Sequence, residues 1–211
     1  MTKKVLITGG QGDIAKAVTR QLEAEGYIVY APSRALMDVT DWNSIESAFE
    51  WFRPDILINN AGYVMPVSVK HGDLTNTKKH LDINIGGTFY CTEIGLKYNP
   101  ELSIINIGSA VAVDPRATWS DYCAAKAAVV MATKCWAKEG LYAVVISPGR
   151  TRTKMRKNLF PDEDQSTLLD PESFARIVVK AVHKDYKTGT HLIVRKQNVE
   201  EMLEHSKIDW Q

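Results

Sequence analysis

A tyrosine and a lysine lie four positions apart in the run from Tyr122 to Lys126, thirteen residues after Ser109. Residues four apart share one face of a helix, so the phenol and the ammonium can enter one cavity. A buried ammonium beside a phenol favours the phenolate, and we therefore expect the pKa of Tyr122 to be lowered toward neutrality. Such a tyrosine serves as a general acid at physiological pH. Because an isolated pair of this kind also occurs on solvated helix surfaces, its interpretation depends on the motifs around it.

A glycine-rich turn supplies the second motif, directly after a predicted strand and at the start of a predicted helix. Its pattern, G-x-G-x-x-A, is typical of turns that bring the backbone close to a pyrophosphate, although a turn without a ligand is the alternative. The unpaired N–H groups of the helix N-terminus would face the phosphates. Because a carboxylate repels a nearby phosphate, we expect Asp13 to cap the helix and to point away. The residues of this turn that we expect to bind a dinucleotide are Thr8, Gly9, Gly10, Gln11, Gly12, Asp13 and Ile14.

The end of the second predicted strand indicates which dinucleotide binds. An NAD-selective site usually has an acidic residue here, whereas an arginine accommodates a 2′-phosphate. This chain has Ser33 and Arg34 and no acidic residue, so we interpret the pair as a 2′-phosphate site and expect NADP(H). A solvated surface position for Arg34 is the alternative. Asp38 and Val39 are expected to contact the adenine edge at the end of a very short third strand.

Short β-branched segments alternate with longer segments of helical periodicity, which is the pattern of βαβ units around a parallel sheet. We therefore predict an α/β fold, a doubly wound parallel sheet between two helical layers (a Rossmann fold), in one domain spanning residues 1–211. We expect residues 150–169, which are rich in charge, to form an irregular lid. The strands are predicted near Val5–Thr8, Ile28–Ala31, Ile56–Asn59, Ser103–Ile107, Ala143–Ile146 and His191–Val194. The helices are predicted near Asp13–Glu25, Trp42–Trp51, Thr75–Lys97, Tyr122–Lys138 and Pro171–Lys184.

Composition sets modest limits on function. The chain is 45% apolar and 24% charged, which is ordinary for a globular protein. Its 26 basic and 25 acidic residues give no global reason to expect binding to nucleic acid or to a membrane. Three cysteines without a C-x-x-C pair argue against a disulfide framework and favour a reducing cytoplasm. No apolar run reaches membrane-spanning length. The histidines and cysteines lack metal-ligand spacing, and we expect no metal site.

In their order and spacing, these motifs resemble those of the short-chain dehydrogenase/reductase family over nearly the whole chain. The run Asn59-Asn60-Ala61-Gly62 is similar to a further family motif, and Asn84 falls where the family has a catalytic asparagine. The resemblance implies four catalytic residues, which are Asn84, Ser109, Tyr122 and Lys126. The cofactor contacts that it implies, beyond those already given, are Asn60, Ala61, Gly62, Tyr122, Lys126, Pro148, Gly149, Thr151 and Thr153.

The reaction that the resemblance implies is hydride transfer between a nicotinamide and a carbonyl or alcohol carbon of a small molecule. In the reductive direction Tyr122 would protonate the developing alkoxide, and Ser109 would donate a hydrogen bond to the same oxygen. Lys126 would lower the pKa of Tyr122 and hold the nicotinamide ribose. Asn84 would position a water that links Lys126 to solvent.

The substrate pocket is expected to be formed by residues 63–66, 110–119 and 150–169. Positions 150–157 contain five basic residues and no acidic one. Because clustered guanidinium groups bind phosphate or carboxylate, we expect either an anionic substrate or extra contacts to the cofactor phosphates. The alternative is a solvated loop whose charge is balanced by Asp162, Glu163 and Asp164.

Some features differ from the commonest members of the family. Asp13 and Ala15 stand where those members have glycine, a spacing closer to the branch that modifies nucleotide sugars. Residues 33–41 and 53–59 are similar to dehydrorhamnose reductases. We nevertheless expect no counterpart of the large C-terminal substrate domain of that branch, and a substrate site formed from loops alone. Two further functions are therefore considered, a nucleotide-sugar 4-keto reductase and a non-catalytic NADP(H)-binding sensor or scaffold.

Two predicted helices also suggest an assembly. Those near 75–97 and 122–138 have apolar side chains on several sides, such as Phe89, Cys91, Val130 and Met131. A helix that is apolar over more than one stripe must bury the excess. The resemblance implies that these helices pack against their symmetry mates, and we expect a homodimer or homotetramer. The alternative is that neighbouring helices of the same chain cover the second stripe.

Overall fold

Six parallel strands form one sheet in the computed structural model, which describes residues 2–204. Met1 and residues 205–211, which would complete the predicted 1–211 domain, lie outside the described residues. The order of strands in the sheet is β2-β1-β3-β4-β5-β6, and the predicted doubly wound parallel sheet is confirmed. The strands are β1 (Lys4–Ile7), β2 (Ile28–Tyr30), β3 (Ile56–Asn59), β4 (Ser103–Ile107), β5 (Ala143–Pro148) and β6 (His191–Val194).

Helices cover both faces of this sheet. The predicted helices that begin at positions 13, 42, 122 and 171 are present as α1, α2, α5 and α7. At the end of α1, Gly26 adopts a φ of +86°, a left-handed conformation that glycine tolerates and that stops the helix. Among residues 2–204, no helix is long and apolar enough to cross a membrane. The helices are α1 (Asp13–Ala24), α2 (Trp42–Phe52), α3 (Leu74–His80), α4 (Gly87–Tyr98), α5 (Ser120–Lys138), α6 (Lys154–Leu159), α7 (Pro171–Val182) and α8 (Val199–Glu204).

Alternate strand residues enter two hydrophobic clusters, one on each face of the sheet. Val5 and Ile7 of β1 pack with side chains of α1 and α7, whereas Leu6 packs with side chains of α2 and with Cys91 of α4. Successive side chains of a strand point to opposite faces, so a strand covered on both faces is apolar throughout. This explains the continuous apolar runs in the sequence. Because all six strands are parallel, their carboxyl ends lie at one edge of the sheet.

The segment between β2 and α2 differs from the prediction. Asp38 and Val39 lie in irregular structure and not at the end of a third strand, so that prediction is wrong and β2 is the edge of the described sheet. The N–H of Asp38 donates to the hydroxyl of Ser44 at 3.0 Å. Val39 packs so closely on Gly87 that a Cβ there would lie 2.7 Å from its side chain. The packing of Val39 on α4 and the hydrogen bond from Asp38 to Ser44 therefore hold this segment in place without strand pairing.

The single helix predicted over Thr75–Lys97 is three elements. It consists of α3, a turn of π-helix at Leu81–Gly86, and α4. In a π-helical turn the hydrogen bonds span five residues instead of four, so the turn holds one extra residue. Asp73 caps α3, because its carboxylate accepts from the N–H groups of the second and third residues after it. Similarly, the predicted irregular segment 150–169 contains α6, whose N-cap is Thr153.

Candidate functional site

A cavity of about 690 Å³ opens at the carboxyl ends of the strands. The connection from β1 to β2 and the connection from β2 to β3 run in opposite directions across the sheet, so that β2 and β3 flank β1. Such a switch point is the usual ligand position in open α/β sheets. Four residues of the predicted site, Thr8, Gly10, Ser33 and Asn84, lie outside the lining. The predicted residues that line the cavity are Gly9, Gln11, Gly12, Asp13, Ile14, Arg34, Asp38, Val39, Asn60, Ala61, Gly62, Ser109, Tyr122, Lys126, Pro148, Gly149, Thr151 and Thr153.

The glycine-rich turn requires glycine at two positions. Gly9 has a φ of +66°, which favours glycine. A Cβ on Gly10 would lie 2.0 Å from the carbonyl oxygen of the residue that follows β2, so only glycine fits there. The hydroxyl of Thr8 accepts from the N–H groups of Asn60 and Ala61, at 2.9 Å each. Thr8 and Gly10 therefore support the turn from behind, while its remaining backbone faces the cavity.

Asp13 connects the glycine-rich turn to segment 150–169. It is the first residue of α1, whose N-cap is Gly12, so the prediction that Asp13 caps this helix is wrong. Its carboxylate accepts from the backbone N–H of Lys154 at 2.6 Å, at the start of α6. A carboxylate is stabilising there because the first N–H groups of a helix have no partner within the helix. The residue thus caps a helix 141 positions away in the sequence.

Replacement of Asp13 by alanine should loosen segment 150–169. The variant loses one charge-assisted hydrogen bond, worth about 1.5–3 kcal/mol, so the local opening of α6 should become roughly tenfold more frequent or more. Hydrogen–deuterium exchange of peptides covering α6 measures this directly. Asp73→Ala, which removes the cap of α3, is the matched control and should leave exchange in α6 unchanged. Equal protection of α6 in wild type and Asp13→Ala would show that the bond does not hold the segment.

Arg34 and Asp38 form an ion pair at the rim of the cavity, with 2.9 Å between Nε and the carboxylate. The arginine side chain is 71% exposed, and its terminal nitrogens remain available as donors. Burial raises the pKa of the Asp38 carboxyl, but hydrogen bonds from Thr40 and Arg34 outweigh it, so the net pKa is lowered. Asp38 therefore stays ionised and orients Arg34 across the rim. Ser33, its predicted partner, lies outside the lining.

Ser109, Tyr122 and Lys126 converge on one wall of the cavity. Ser109 follows β4, and the other two residues lie one turn apart on α5. The ammonium of Lys126, a residue that is only 5% exposed, donates to the carbonyl oxygen of Ile107 at 2.9 Å. It also lies 5.8 Å from the centre of the Tyr122 ring. The wall thus presents a phenol, a hydroxyl and a buried ammonium to the same space.

The protonation of these groups differs from the prediction. Burial raises the pKa of Tyr122 to about 12, against an opposing effect of the Ser109 hydroxyl. Burial also lowers the pKa of Lys126 to about 8. The ammonium is directed at a backbone carbonyl, and the expected lowering of the Tyr122 pKa by Lys126 is wrong for this structure. At neutral pH Tyr122 therefore keeps its proton, which is the form that a general acid requires.

Asn84 lies beneath the cavity wall, in the π-helical turn, and is fully buried. Its amide group donates to the carbonyl oxygens of Tyr63 and His80, at 2.8 and 3.1 Å, and its Oδ1 accepts from the N–H of Tyr63 at 3.0 Å. A Cβ on Gly62 would lie 3.3 Å from this Oδ1 and 3.8 Å from Nζ of Lys126. Asn84 therefore holds the loop after β3 beside the lysine, and its predicted water contact stays a prediction.

A chain of buried hydrogen bonds ties α4 and α5 to the sheet. Asn59 of β3 donates to Thr92 of α4 at 3.2 Å and to Asn106 of β4 at 2.9 Å. Asn106 donates in turn to Thr133 of α5 at 2.8 Å. A buried polar group without a partner costs about 1–3 kcal/mol, so these bonds strongly favour one arrangement of the two helices. They set the helix that carries the tyrosine and lysine in register with the sheet.

Aromatic rings surround Tyr122 at its end of the cavity. The ring centre of Trp119 lies 5.8 Å from that of Tyr122, and the ring centre of His80 lies 6.4 Å away. Tyr63 packs on His80 at 4.8 Å, and its hydroxyl donates to Asn76 at 2.9 Å. The part of the cavity next to the phenol therefore has aromatic walls, which include Tyr63 and Trp119 of the ranges expected to form the substrate pocket.

All three arginines of segment 150–169 are paired with acidic side chains. Glu163 binds Arg156 at 2.6 Å and Arg150 at 3.3 Å, and Arg152 binds Asp170 at 2.5 Å. The predicted basic cluster is thus partly balanced by a following acid, as the alternative interpretation proposed. Arg150 and Arg156 still line the cavity.

Two groups of lining residues were missed by sequence reasoning. Arg195 and Lys196 follow β6 and reach the cavity, which the rule about carboxyl ends of parallel strands could have indicated. Lys79, near the end of α3, also lines the cavity. No motif marks this lysine, because it depends on the packing of α3 beside the loop after β3.

The amino-acid sequence of this chain is similar to those of several known proteins. The sequence model of the short chain dehydrogenase family matches residues 33–164, more than half of the chain. The 3-oxoacyl-(acyl-carrier-protein) reductase FabG of Thermotoga maritima is 26% identical over 231 aligned positions, covering 89% of this chain and 94% of that protein. Carbonyl reductase family member 4 of Xenopus laevis is 28% identical and covers 92% of this chain and 97% of its own.

Solved structures show the same fold. A small-chain dehydrogenase in complex with NADPH superposes with a TM-score of 0.82 at 25% identity, covering 92% of this chain and 97% of that one. ElxO with NADP bound superposes with a TM-score of 0.80 at 24% identity, again over 92% and 97%. Both comparisons extend over nearly the whole chain.

Proposed function

The chain belongs to the short-chain dehydrogenase family, and on that premise we propose that it is an NADP(H)-dependent oxidoreductase acting on a carbonyl or alcohol group of a small molecule. The observation that carries the proposal is the convergence of Ser109, Tyr122 and buried Lys126 on one wall of a cavity at the switch point of the sheet. Surface residues at the same sequence spacing would have no reason to enclose a cavity.

The cavity residues fit a nicotinamide dinucleotide. The turn is tight, since a Cβ on Gly12 would lie 3.3 Å from the carbonyl oxygen of Gly9, and Gly9 and Gly12 line the cavity without side chains. The start of α1 directs free N–H groups toward this turn, which suits a pyrophosphate. At the rim, Arg34 suits a 2′-phosphate. When bound, the nicotinamide supplies the hydride chemistry.

Protein groups then handle the proton and the orientation of the substrate. In reduction, Tyr122 would donate its proton to the developing alkoxide, and the hydroxyl of Ser109 would donate a hydrogen bond to the same oxygen. The raised pKa of Tyr122 keeps its hydroxyl protonated at neutral pH. General acid catalysis of this kind contributes about 10²–10⁴-fold. Lys126 would hold the ribose, and Asn84 would keep the loop after β3 in place through its bonds to Tyr63.

A substrate panel tests the proposal. Oxidation of NADPH is measured with simple aldehydes and ketones, and in parallel with a nucleotide 4-keto sugar. Consumption of the small carbonyl compounds supports the proposed function, whereas consumption of the keto sugar alone would favour a nucleotide-sugar reductase. NADPH binding without consumption of any carbonyl would favour a sensor or scaffold, although Tyr122 and Lys126 in one cavity argue for catalysis.

NADPH should bind at least tenfold more tightly than NADH, a difference of about 1.4 kcal/mol or more. The expectation rests on Arg34 at the rim, and similar solved structures contain NADP or NADPH. Arg34→Ala should remove most of the difference, because the remaining interaction with a 2′-phosphate would lack its cation. Titration calorimetry with both cofactors measures it, with Arg53→Ala as a control at an arginine outside the cavity. Equal dissociation constants in wild type would contradict the assignment.

We also propose a homodimer or homotetramer. Met131 of α5 is 62% exposed, and Phe89 of α4 meets Trp136 of α5 edge to face, with ring centres 5.3 Å apart. Cys91 and Val130, two residues of the predicted second stripe, are buried within the chain, so the expected surface is smaller than the sequence suggested. Light scattering should give a mass of two or four chains of 23.6 kDa, reduced by Met131→Glu. A wild-type mass of one chain at micromolar concentration would contradict the proposal.

A reducing cytoplasm is the compartment that we propose. Cys91, Cys123 and Cys135 are all free thiols, and oxidising compartments favour paired cysteines.

A further inference from the structure

Positive charge is concentrated in the cavity. The whole chain has a formal net charge of +1, whereas nine basic and three acidic residues line the cavity. A concave surface of one sign raises the local concentration of ligands of the opposite sign. An anionic cofactor explains the charges near the glycine-rich turn and the rim, but Lys79 and Arg116 lie on the aromatic walls. The basic lining residues are Arg34, Lys79, Arg116, Lys126, Arg150, Lys154, Arg156, Arg195 and Lys196, and the acidic ones are Asp13, Asp38 and Asp114.

Lys79 and Arg116 lie on the aromatic walls next to Tyr122. The ammonium of Lys79 is 4.0 Å from the ring centre of Tyr63, and the guanidinium carbon of Arg116 is 5.9 Å from that of Trp119. Such cation–π contacts hold a side chain in place without neutralising its charge. Arg116 therefore lies over the ring that packs directly on Tyr122. Lys79 lies over a ring that is joined to Tyr122 through His80.

Lys79 and Arg116 differ from the three arginines of the lining that form ion pairs. Arg34, Arg150 and Arg156 form ion pairs with acidic side chains. In the part of the chain that the structure describes, neither Lys79 nor Arg116 forms an ion pair. Asp114 also lines the cavity and forms an ion pair with neither of them.

We propose that the substrate of this enzyme has a carboxylate group, bound by Lys79 and Arg116 while its carbonyl group lies at Tyr122 and Ser109. The proposal rests on the proposed function and names the class of its substrate. The aromatic walls at Tyr63 and Trp119 suit an apolar or aromatic body between the two groups. The anion-binding position is thus on the aromatic walls, and the paired arginines of segment 150–169 are not required for it.

A charged aldehyde and its neutral methyl ester test the proposal, and the cavity variants separate the effect of charge from that of the added methyl group. The probes are 4-carboxybenzaldehyde and its methyl ester, each reduced with NADPH. Wild type should have a kcat/KM roughly tenfold higher for the acid, equivalent to about 1.4 kcal/mol. The preference should appear mainly in KM and should fall at high salt, because exposed charges are screened. Lys79→Gln and Arg116→Gln should each lower the acid-to-ester ratio by roughly threefold, since one exposed pair is worth about 0.2–1 kcal/mol.

The adjacent lysine provides the matched control. Lys78 is ion-paired with Asp82 and does not line the cavity, so Lys78→Gln should leave the acid-to-ester ratio unchanged. Equal kcat/KM for acid and ester in wild type, or a ratio that neither cavity variant changes, would overturn this inference while the proposed function stands. If the protein reduces other carbonyl compounds of the panel but neither of these aldehydes, the inference is overturned and the proposed function stands. If it binds NADPH and reduces no carbonyl compound at all, both are overturned.

Discussion

Tyr122→Phe should reduce kcat for carbonyl reduction by about 10²–10⁴-fold while NADPH affinity changes little. The phenylalanine ring keeps the aromatic packing against Trp119 and His80, so only the acidic proton is lost. Steady-state NADPH oxidation gives kcat, and titration calorimetry gives the cofactor affinity. The two measurements together separate loss of the acid from collapse of the site.

Tyr98→Phe is a suitable control for this experiment. Tyr98 ends α4 and contacts Arg53 outside the cavity, so its hydroxyl has no route to the substrate. We expect wild-type kinetics for it. If Tyr122→Phe retains more than a tenth of the wild-type kcat, another group donates the proton.

Lys126→Ala should lose activity and cofactor affinity together. Its ammonium is buried, donates to the carbonyl of Ile107, and is proposed to hold the nicotinamide ribose. Losing a hydrogen bond from a charged group costs about 1.5–3 kcal/mol, so NADPH should bind at least roughly tenfold more weakly. Calorimetry and kcat are measured on the same preparation, with Lys126→Met as a second variant that preserves the volume of the stem. Unchanged NADPH affinity in both variants would show that Lys126 does not contribute to cofactor binding.

The same lysine should make the stability of the cofactor-free protein depend on pH. Burial lowers its pKa to about 8 in the folded protein, whereas the unfolded chain has the ordinary value of about 10.4. Between these values the unfolded state binds more protons, so the free energy of unfolding contributed by Lys126 rises with pH. The full rise is roughly 3 kcal/mol, at about 1.4 kcal/mol for each pKa unit.

Urea unfolding of wild type and Lys126→Met at several pH values between 7 and 10 measures this contribution. Wild type should gain stability relative to the variant across that range, because the methionine carries no titrating group. If the two curves of free energy against pH run parallel, the folded lysine does not have a lowered pKa.

Local patterns predicted most of the fold. The apolar runs at Ile56–Asn59 and Ser103–Ile107 are strands with those bounds, since a strand covered on both faces leaves no other arrangement for such runs. The turn at Gly9 was predictable for a similar reason, because only glycine tolerates its conformation. These features depend on a few neighbouring residues, and short sequences determine them.

Features that depend on distant contacts were not predictable. Nothing near Asp13 in the sequence indicates that its carboxylate meets Lys154. Likewise the raised pKa of Tyr122 results from its burial in the folded protein. The ammonium of Lys126 donates to the carbonyl oxygen of Ile107, which is distant in sequence. The sequence spacing correctly predicted that these two side chains share one helix face. It did not predict which atom the ammonium contacts.

The π-helical turn at Leu81–Gly86 has a consequence for insertions and deletions. Each residue of an α-helix turns the chain by about 100°, since 3.6 residues complete one turn. Deleting one residue here would let α3 and α4 merge into one regular helix, and everything before the deletion would rotate by that angle relative to α4. Asn84 would then lose its hydrogen bonds to the backbone of Tyr63, and these bonds hold the loop after β3. The site therefore tolerates many changes of residue type in this turn better than any change in the number of its residues.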